Sequence, residues 1–190
     1  MSQPPCIILG VTGSIAAHKA IDIASLLTRN GCAVHVILTP DAQRFLSPVP
    51  FKTLSRHPVV TDLYGDAQCC QPAHIRLADE ADLMLVAPAT AQTIAKLALG
   101  LADNALCCTA LALNPAAKLL IAPAMHSRMW LHPATQAHVA TLRARGAEFI
   151  GPEEGVLACG SQGVGRLWPA DKIAAHALQC VEQRRDPGQT

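Results

Sequence analysis

Residues 6–38, CIILGVTGSIAAHKAIDIASLLTRNGCAVHVIL, alternate between two kinds of hydrophobic pattern. Residues 6–10 are a short, continuously apolar run typical of a buried strand, and residues 33–38 form a second strand-like segment. Between them, apolar side chains recur at helical spacing over residues 14–27, and Gly31 follows as a typical helix-ending residue. Short apolar strands joined by helices indicate a parallel sheet covered on both faces.

The same alternation continues along the chain. Further buried strands are predicted at residues 83–87, 119–122 and 149–150, and helices at residues 92–99, 103–112 and 133–145. The pattern predicts a single domain with a three-layer α/β/α sandwich and a parallel, Rossmann- or flavodoxin-like sheet. Residues 61–73 and 151–169 do not fit the alternation and are predicted to be long loops, which are commonly functional. We expect the domain to span residues 1–181, followed by a disordered tail at 182–190.

The composition narrows the class of protein. A hydrophobic content of 51% with only 15% charged residues argues against disorder, and so few charges predict a surface partly covered by other subunits. The net charge of +1 gives no overall field that would attract nucleic acid or an anionic membrane. Neither a membrane-spanning run nor a secretory signal is recognisable, so we expect a cytoplasmic protein.

The eight cysteines do not form the pattern of a disulfide framework or a metal site. Several lie among apolar neighbours, two pairs are directly adjacent in sequence, and no CxxC spacing occurs. We therefore expect no bound metal. Cys159 differs from the others because it lies in a glycine-rich stretch, LACGSQGVGR.

Small and hydroxyl-bearing residues follow four of the predicted strands. These stretches are GVTGSIAAHK (10–19), TPD (39–41), APATAQT (87–93) and PAMHSRMW (123–130). Since ligands of parallel sheets bind beyond the carboxyl ends of the strands, the four loops predict one shared ligand that carries a phosphate, such as a mononucleotide. The first loop lacks the G-x-G-x-x-G fingerprint of dinucleotide sites and has no Walker lysine, and a plain strand–helix turn explains it equally well.

Four ordered motifs resemble those of the homo-oligomeric flavin-containing cysteine decarboxylases. They are GVTGSIAAHK, HIRLADEADLMLVAPATAQTIAKLALGLADN, APAMHSRMW and LACGSQGVGR. The similarity runs from residue 6 to about residue 181 and is greatest to the branch that serves coenzyme A synthesis. It implies FMN bound between subunits of a homotrimer, often assembled into a dodecamer. The implied activity is oxidative decarboxylation of a cysteine conjugate, with 4′-phosphopantothenoylcysteine converted to 4′-phosphopantetheine and CO2 as the leading reaction.

The resemblance also assigns roles to individual residues. Those that would contact the flavin are Gly13, Ser14, Ile15, Thr39, Pro40, Asp41, Thr90, Ala91, Gln92, Thr93 and Ala124. The implied catalytic residues are His74 and Cys159, the latter donating the final proton from a flap over the substrate. The implied substrate contacts are Met125, His126, Leu157 and Ala158. On residue type alone, His74 could equally be an ordinary helix-start residue and Cys159 an incidental loop cysteine.

Three departures from the family pattern bear on the substrate. His126 stands where the family has an asparagine that holds the substrate carboxylate. A histidine offers one donor when neutral or a cation when protonated, and a cation would stabilise the carboxylate more than the transition state for its loss. Gln92 replaces an asparagine in the flavin loop, and Leu167 and Trp168 alter the stretch after the flap.

Three other functions are compatible with the sequence. The chain could act on a different cysteine conjugate, including a peptidyl cysteine, or serve as a non-catalytic regulatory subunit. A flavin reductase or prenyltransferase on the same scaffold is a further alternative. The presence of both His74 and Cys159 favours an enzyme that releases a saturated product.

Overall fold

The computed structural model of this chain describes residues 3–65 and 71–185. Within these residues, five strands form a parallel sheet in the order β2-β1-β3-β4-β5. The strands are β1 (Cys6–Val11), β2 (Ala33–Leu38), β3 (Leu83–Ala89), β4 (Lys118–Pro123) and β5 (Glu148–Phe149). Two more strands, β6 (Glu153–Val156) and β7 (Gln162–Arg166), form a separate antiparallel hairpin.

Helices cover both faces of the sheet. They are α1 (Lys19–Arg29), α2 (Pro48–Ser55), α3 (Ala73–Glu80), α4 (Ala91–Leu99), α5 (Ala105–Leu111), α6 (Ser127–Trp130), α7 (Pro133–Ala144) and α8 (Ala170–Arg185). Helices α1, α2 and α8 pack on one face, whereas α3, α4, α5 and α7 pack on the other. Among the described residues, no helix combines the length and the hydrophobicity needed to cross a membrane.

The side chains of β1 show how a strand is buried on both faces of the sheet. Ile7 and Leu9 belong to the core under α1 and α8, and Ile8 between them belongs to the core on the opposite face. Successive side chains of a strand point to opposite faces, so a strand buried on both sides must be apolar throughout. The predicted three-layer sandwich with a parallel sheet is confirmed, and its strand order is the flavodoxin-like one.

Several predicted boundaries need correction. The first helix begins as a 3-10 turn, Ile15–His18, before α1 starts at Lys19. The glycine-rich stretch 151–169 is mostly the β6–β7 hairpin rather than an unstructured loop. The segment 61–73 leads into α3, and its residues 66–70, which include Cys69 and Cys70, lie outside the described part of the chain.

The predicted end of the domain at residue 181 falls four residues short of the end of α8. The helix continues to Arg185 because its last residues have partners in the body of the domain. Arg184 and Arg185 both bind the carboxylate of Asp82, and Arg185 also donates to the carbonyl oxygen of Gln3 at 2.6 Å. Residues 186–190 of the predicted disordered tail lie outside the described residues.

Candidate active site

The loops after β1, β2, β3 and β4 meet at one edge of the sheet. All four strands run in the same direction, so their carboxyl ends lie together. Strand β1 lies between β2 and β3 in the sheet. After β1 the chain continues to β2 on one side, whereas after β3 it continues to β4 on the other side. In open α/β sheets, such a reversal of strand order leaves the crevice in which ligands bind.

One cavity at this edge, which we call the loop cavity, has a volume of about 380 Å³. The predicted flavin-contacting residues that line it are Gly13, Thr39, Pro40, Asp41, Thr90, Ala91, Gln92 and Thr93. Lys96, Asp103, Asn104 and Met129 also line it and were not predicted. Lys96, Asp103 and Asn104 belong to the long family motif at residues 74–104. The last four residues of this motif, LADN, could therefore have identified Asp103 and Asn104 from the sequence.

Thr12 holds the first and third loops together. Its buried hydroxyl donates to the carbonyl oxygen of Pro88 at 2.7 Å and accepts the N–H of Thr90 at 3.2 Å. The Thr90 hydroxyl in turn accepts the N–H of Thr93 at 3.3 Å and caps the start of α4. A single buried threonine, which sequence reasoning missed, thus sets the position of the α4 N-terminus.

The first and second loops approach each other closely at Gly13. A Cβ atom at this position would lie 2.5 Å from the Cβ atom of Asp41, which is too close for any side chain. In the second loop, the Thr39 hydroxyl accepts the N–H of Ala42 at 3.2 Å. Glycine is therefore required at residue 13 by the contact between the two loops.

The chemistry of the loop cavity suits an anionic, polar ligand. The N-terminus of α4 supplies the positive end of a helix dipole, and the hydroxyl groups of Thr90, which caps this helix, and Thr39 supply hydrogen-bonding groups. Lys96 adds a cation, which pairs with Asp103 at 2.6 Å. These features fit a phosphate-bearing cofactor such as FMN.

A second cavity, the flap cavity, has a volume of about 350 Å³. The predicted residues that line it are Ser14, Ile15, Ala124, Met125, His126, Leu157, Ala158 and Cys159. Side chains that were not predicted include His18, Lys19, Val156 and Arg166. Gly13 lines the loop cavity and Ser14 lines the flap cavity, so both cavities border the first loop.

The β6–β7 hairpin is the flap, and glycines seat it on the segment after β4. The N–H of Met125 donates to the carbonyl oxygen of Gly165 at 3.0 Å. A Cβ atom at Gly165 would come within 2.1 Å of the Met125 carbonyl oxygen, and one at Gly163 within 2.3 Å of the Ser127 hydroxyl. These glycines allow β7 to lie directly against residues 125–127.

The tip of the flap presents Cys159 to the cavity. The N–H of Leu157 donates to the Ser161 carbonyl oxygen at 2.8 Å, which closes a tight turn around the cysteine. The Cys159 side chain is exposed, and its Sγ lies 3.0 Å from the Ser161 hydroxyl. Hydrogen bonds from Ser161 lower the pKa of the Cys159 thiol, with Arg128 contributing a smaller effect of the same sign. A thiol in this setting gives up its proton more readily than an ordinary cysteine.

His126 is the N-cap of the short helix α6. Its Nδ1 atom accepts the backbone N–H of Arg128 at 3.1 Å. An imidazole that accepts through Nδ1 is neutral and carries its proton on Nε2. The ring therefore offers one acceptor to the helix and one N–H donor for other contacts, as a capping asparagine offers its oxygen to the helix and its NH2 group outward. The substitution at this position preserves the hydrogen-bonding pattern of an asparagine.

His74 lies apart from both cavities. It is the second residue of α3, which packs against α5, and it is among the lining residues of neither cavity. Its Nδ1 atom is buried, and within the described part of the chain it has no hydrogen-bond partner. A single copy of the chain therefore does not bring His74 to Cys159.

The parallel sheet, the crevice at its carboxyl edge and the two cavities are typical of nucleotide-binding α/β proteins, here with a flap over the site. The family model described as Flavoprotein matches residues 1–182. The chain belongs to this family of flavin-binding proteins, as the motifs had indicated.

The chain is also similar to curated proteins of coenzyme A synthesis. It is 42% identical over 178 residues to the probable phosphopantothenoylcysteine decarboxylase of Streptococcus mutans, covering 94% of this chain and 97% of that protein. It is 44% identical over 180 residues to the coenzyme A biosynthesis bifunctional protein CoaBC of Mycobacterium tuberculosis, covering 95% of this chain. The match spans only 42% of that bifunctional protein.

Solved structures show the same fold. A PPC decarboxylase, a cysteine-to-serine mutant complexed with pantothenoylaminoethenethiol, superimposes with a TM-score of 0.86 at 28% identity, covering 95% of this chain and 100% of that one. The FMN binding protein AtHal3 gives a TM-score of 0.83 at 28% identity, covering 95% and 98% of the two chains. The FMN-dependent cysteine decarboxylase SpaF gives 0.80 at 30% identity, covering 94% and 97%.

Proposed function

We propose that this chain is an FMN-dependent decarboxylase of a cysteine conjugate, with 4′-phosphopantothenoylcysteine as substrate and 4′-phosphopantetheine and CO2 as products. The observation that carries the proposal is that His126 and Cys159 line one cavity, which shares the first loop with the cavity lined by the predicted flavin contacts. The similarity to a probable phosphopantothenoylcysteine decarboxylase along nearly its whole length supports the substrate.

The cofactor would be held by residues of the loop cavity. The groups suited to a phosphate and to polar ring atoms are the hydroxyls of Thr39 and Thr90, the start of α4 and the ammonium group of Lys96. When bound, FMN supplies the two-electron oxidation and the later return of hydride that the reaction needs. The remaining steps depend on residues of this chain.

The flap cavity offers groups for each end of the substrate. The Nε2–H of His126 would donate to the carboxylate that leaves as CO2, and a neutral donor orients it without the added stabilisation of a cation. Lys19 and Arg166 line the same cavity and carry positive charge suited to the substrate phosphate. The cavity therefore matches a molecule with a carboxylate at one end and a phosphate at the other.

The flap tip would complete the reaction. Cys159 would give its thiol proton to the decarboxylated enethiol carbon as the carbon–carbon double bond is reduced, and the lowered pKa of the thiol favours this transfer. Leu157 and Ala158 beside it would cover the substrate and exclude water from the reacting atoms.

We propose that the complete site forms between subunits of a homotrimer, alone or within a dodecamer. His74 would then reach a neighbouring subunit's site, where it would orient the substrate or handle protons near neutral pH. Two observations support this arrangement: His74 lines neither cavity of a single chain, and its Nδ1 has no hydrogen-bond partner among the described residues. Apolar side chains that line the cavities are also exposed in a single copy, with Ile15 67% and Met129 50% exposed.

The reaction is tested by anaerobic incubation of the flavin-loaded protein with 4′-phosphopantothenoylcysteine, with CO2 and product mass measured. We expect a product that has lost CO2 alone. Loss of CO2 together with two hydrogens would indicate release of the enethiol and would favour a peptide-modifying relative. Absence of turnover with bound flavin would contradict the proposed substrate and would favour another cysteine conjugate or a regulatory role.

The shared site is tested by mixing two defective variants. H74N is expected to release no CO2, and C159S is expected to release CO2 without forming the saturated product. If one site takes His74 and Cys159 from different subunits, mixed oligomers contain sites with both wild-type residues, and saturated product reappears after dissociation and reassembly. A mixture that makes no more saturated product than the separate variants would contradict the arrangement.

A further inference from the structure

Three side chains with metal-binding atoms meet at the edge of the sheet opposite β2, away from both cavities. Glu148 belongs to the edge strand β5, and His176 and Cys180 lie four residues apart on α8. Their carboxylate oxygen, imidazole nitrogen and thiol sulfur all lie within 4.8 Å of one another. We propose that Glu148, His176 and Cys180 bind one divalent transition-metal ion, for which zinc fits best.

The geometry requires little rearrangement. Residues four apart on a helix share a face, so His176 and Cys180 both point toward the edge strand. His176 Nε2 lies 2.7 Å from one oxygen of Glu148, and Cys180 Sγ lies 3.6 Å from the other. Tetrahedral zinc, with ligands at about 2.0–2.3 Å, places its donor atoms about 3.3–3.8 Å apart. The Glu148–Cys180 spacing already lies in that range, and the Glu148–His176 spacing would lengthen when the ion binds.

The donor set selects the kind of ion. A thiolate, an imidazole and a carboxylate together suit zinc, whereas calcium and magnesium take oxygen ligands. The charges of one thiolate and one carboxylate balance a divalent cation. The thiolate, not the thiol, is the metal ligand, so Cys180 must lose its proton when the ion binds. Binding would form one sulfur–metal bond and release one proton to solvent.

The spacing of these ligands along the chain explains why the sequence does not reveal them. The whole flap lies between Glu148 and the two helix residues in sequence. A typical metal-binding motif has two pairs of closely spaced cysteines or histidines, and His176 and Cys180 are not followed or preceded by such a second pair. Only the packing of α8 next to β5 brings them together. A bound ion would fasten α8 to an edge strand of only two residues, and it would act on stability rather than on the reaction.

The alternative is a simple ion pair between His176 and Glu148, which would need no contribution from Cys180. The two possibilities are separated by titrating the flavin-loaded protein with zinc in competition with a chromogenic chelator. We expect one tight zinc ion per chain in the wild type. C180S and H176Q should each weaken that binding by more than about 100-fold, since each removes one of three protein ligands.

Matched controls exclude adventitious binding to other cysteines. C159S removes an exposed thiol outside the cluster and should keep the tight zinc ion. Cobalt in place of zinc should give a thiolate charge-transfer band in the wild type and C159S but not in C180S. Zinc should also raise the Tm of the wild type and leave that of C180S unchanged, and unchanged flavin content shows that each variant is folded. Equal zinc affinity in the wild type, C180S and H176Q, or no tight zinc in any of them, would overturn the proposal.

Discussion

The Nδ1 atom of His126 accepts the backbone N–H of Arg128, and this bond fixes which ring nitrogen can face a substrate. As long as the cap is formed, the imidazole is neutral and Nε2 is the donor. The bond therefore links the start of α6 to the protonation state of a residue in the flap cavity.

The first prediction concerns the replacement of this histidine. H126N keeps a capping acceptor and an outward N–H donor, so we expect kcat/KM to stay within about tenfold of wild type, whereas H126A should lower it by about 100-fold or more. H126A should also cost about 0.5–2 kcal/mol of stability through loss of the cap. Steady-state CO2 release and chemical denaturation measure both effects. Wild-type activity in H126A would rule out the proposed contact with the carboxylate.

The helix cap formed by the same residue gives a second prediction. H126A removes the acceptor for the Arg128 N–H and should lower the free energy of unfolding, whereas H126N keeps a capping acceptor and should stay close to the wild type. Chemical denaturation of the two variants makes the comparison. Equal losses of stability in both variants would show that the cap itself is not what the substitution removes.

A third prediction concerns the reactivity of Cys159. Hydrogen bonds from Ser161 lower the pKa of this thiol, so S161A should raise it, and less thiolate should be present at neutral pH. The alkylation rate of Cys159, followed by peptide mass, should then fall at neutral pH, and its midpoint should move to higher pH. Q162A, at the next exposed position of the flap, serves as the matched control and should alkylate like the wild type.

A fourth prediction concerns how the flap is seated. A methyl group at residue 165 would meet the Met125 carbonyl oxygen at 2.1 Å, so G165A must push β7 away from the segment after β4. We expect destabilisation of about 1–3 kcal/mol and more unreduced enethiol among the products. In G155A, on the partner strand of the same hairpin, the new methyl group has its nearest neighbour at 3.4 Å, in the Arg166 side chain. That variant should resemble the wild type in denaturation and in product ratio.

The fifth prediction concerns Thr12. T12V has nearly the same shape but leaves the Pro88 carbonyl oxygen and the Thr90 N–H without their buried partner, which should cost about 1–3 kcal/mol and weaken flavin binding. Thr109 is equally buried, but among the described residues its hydroxyl donates to the carbonyl oxygen of Ala105 within its own helix and links no loops. T109V should therefore bind flavin as the wild type does. Equal flavin affinity in T12V and T109V would show that the link between the loops is dispensable.

The strands of the sheet and four of the eight described helices, α1, α4, α5 and α7, could be predicted from the sequence because their hydrophobic patterns are strong. The predicted helices at 92–99, 103–112 and 133–145 lie within two residues of α4, α5 and α7. Helix α2 was not predicted, since Pro48 and Pro50 suggest a loop. Proline is tolerated in the first turn of a helix, however, and the Ser47 hydroxyl caps this one.

The candidate site was predicted as a set of residues but not as an arrangement. The resemblance supplied residues that line two cavities, and the fold shows that both cavities border the first loop. The protonation state of His126 could not be predicted, because it depends on a backbone N–H two residues away. The glycine-rich stretch 151–169 predicted a long loop, but Gly163 and Gly165 serve close packing of the flap against residues 125–127.

The contact between Arg185 and Gln3 places the last described turn of α8 beside the start of β1. Strand β1 then runs for six residues, roughly 20 Å, before it reaches the first loop, which borders both cavities. A polypeptide attached after Arg185 would therefore begin at the opposite end of the strands from the flap. Fluorescent or affinity fusions made there should leave substrate entry unobstructed.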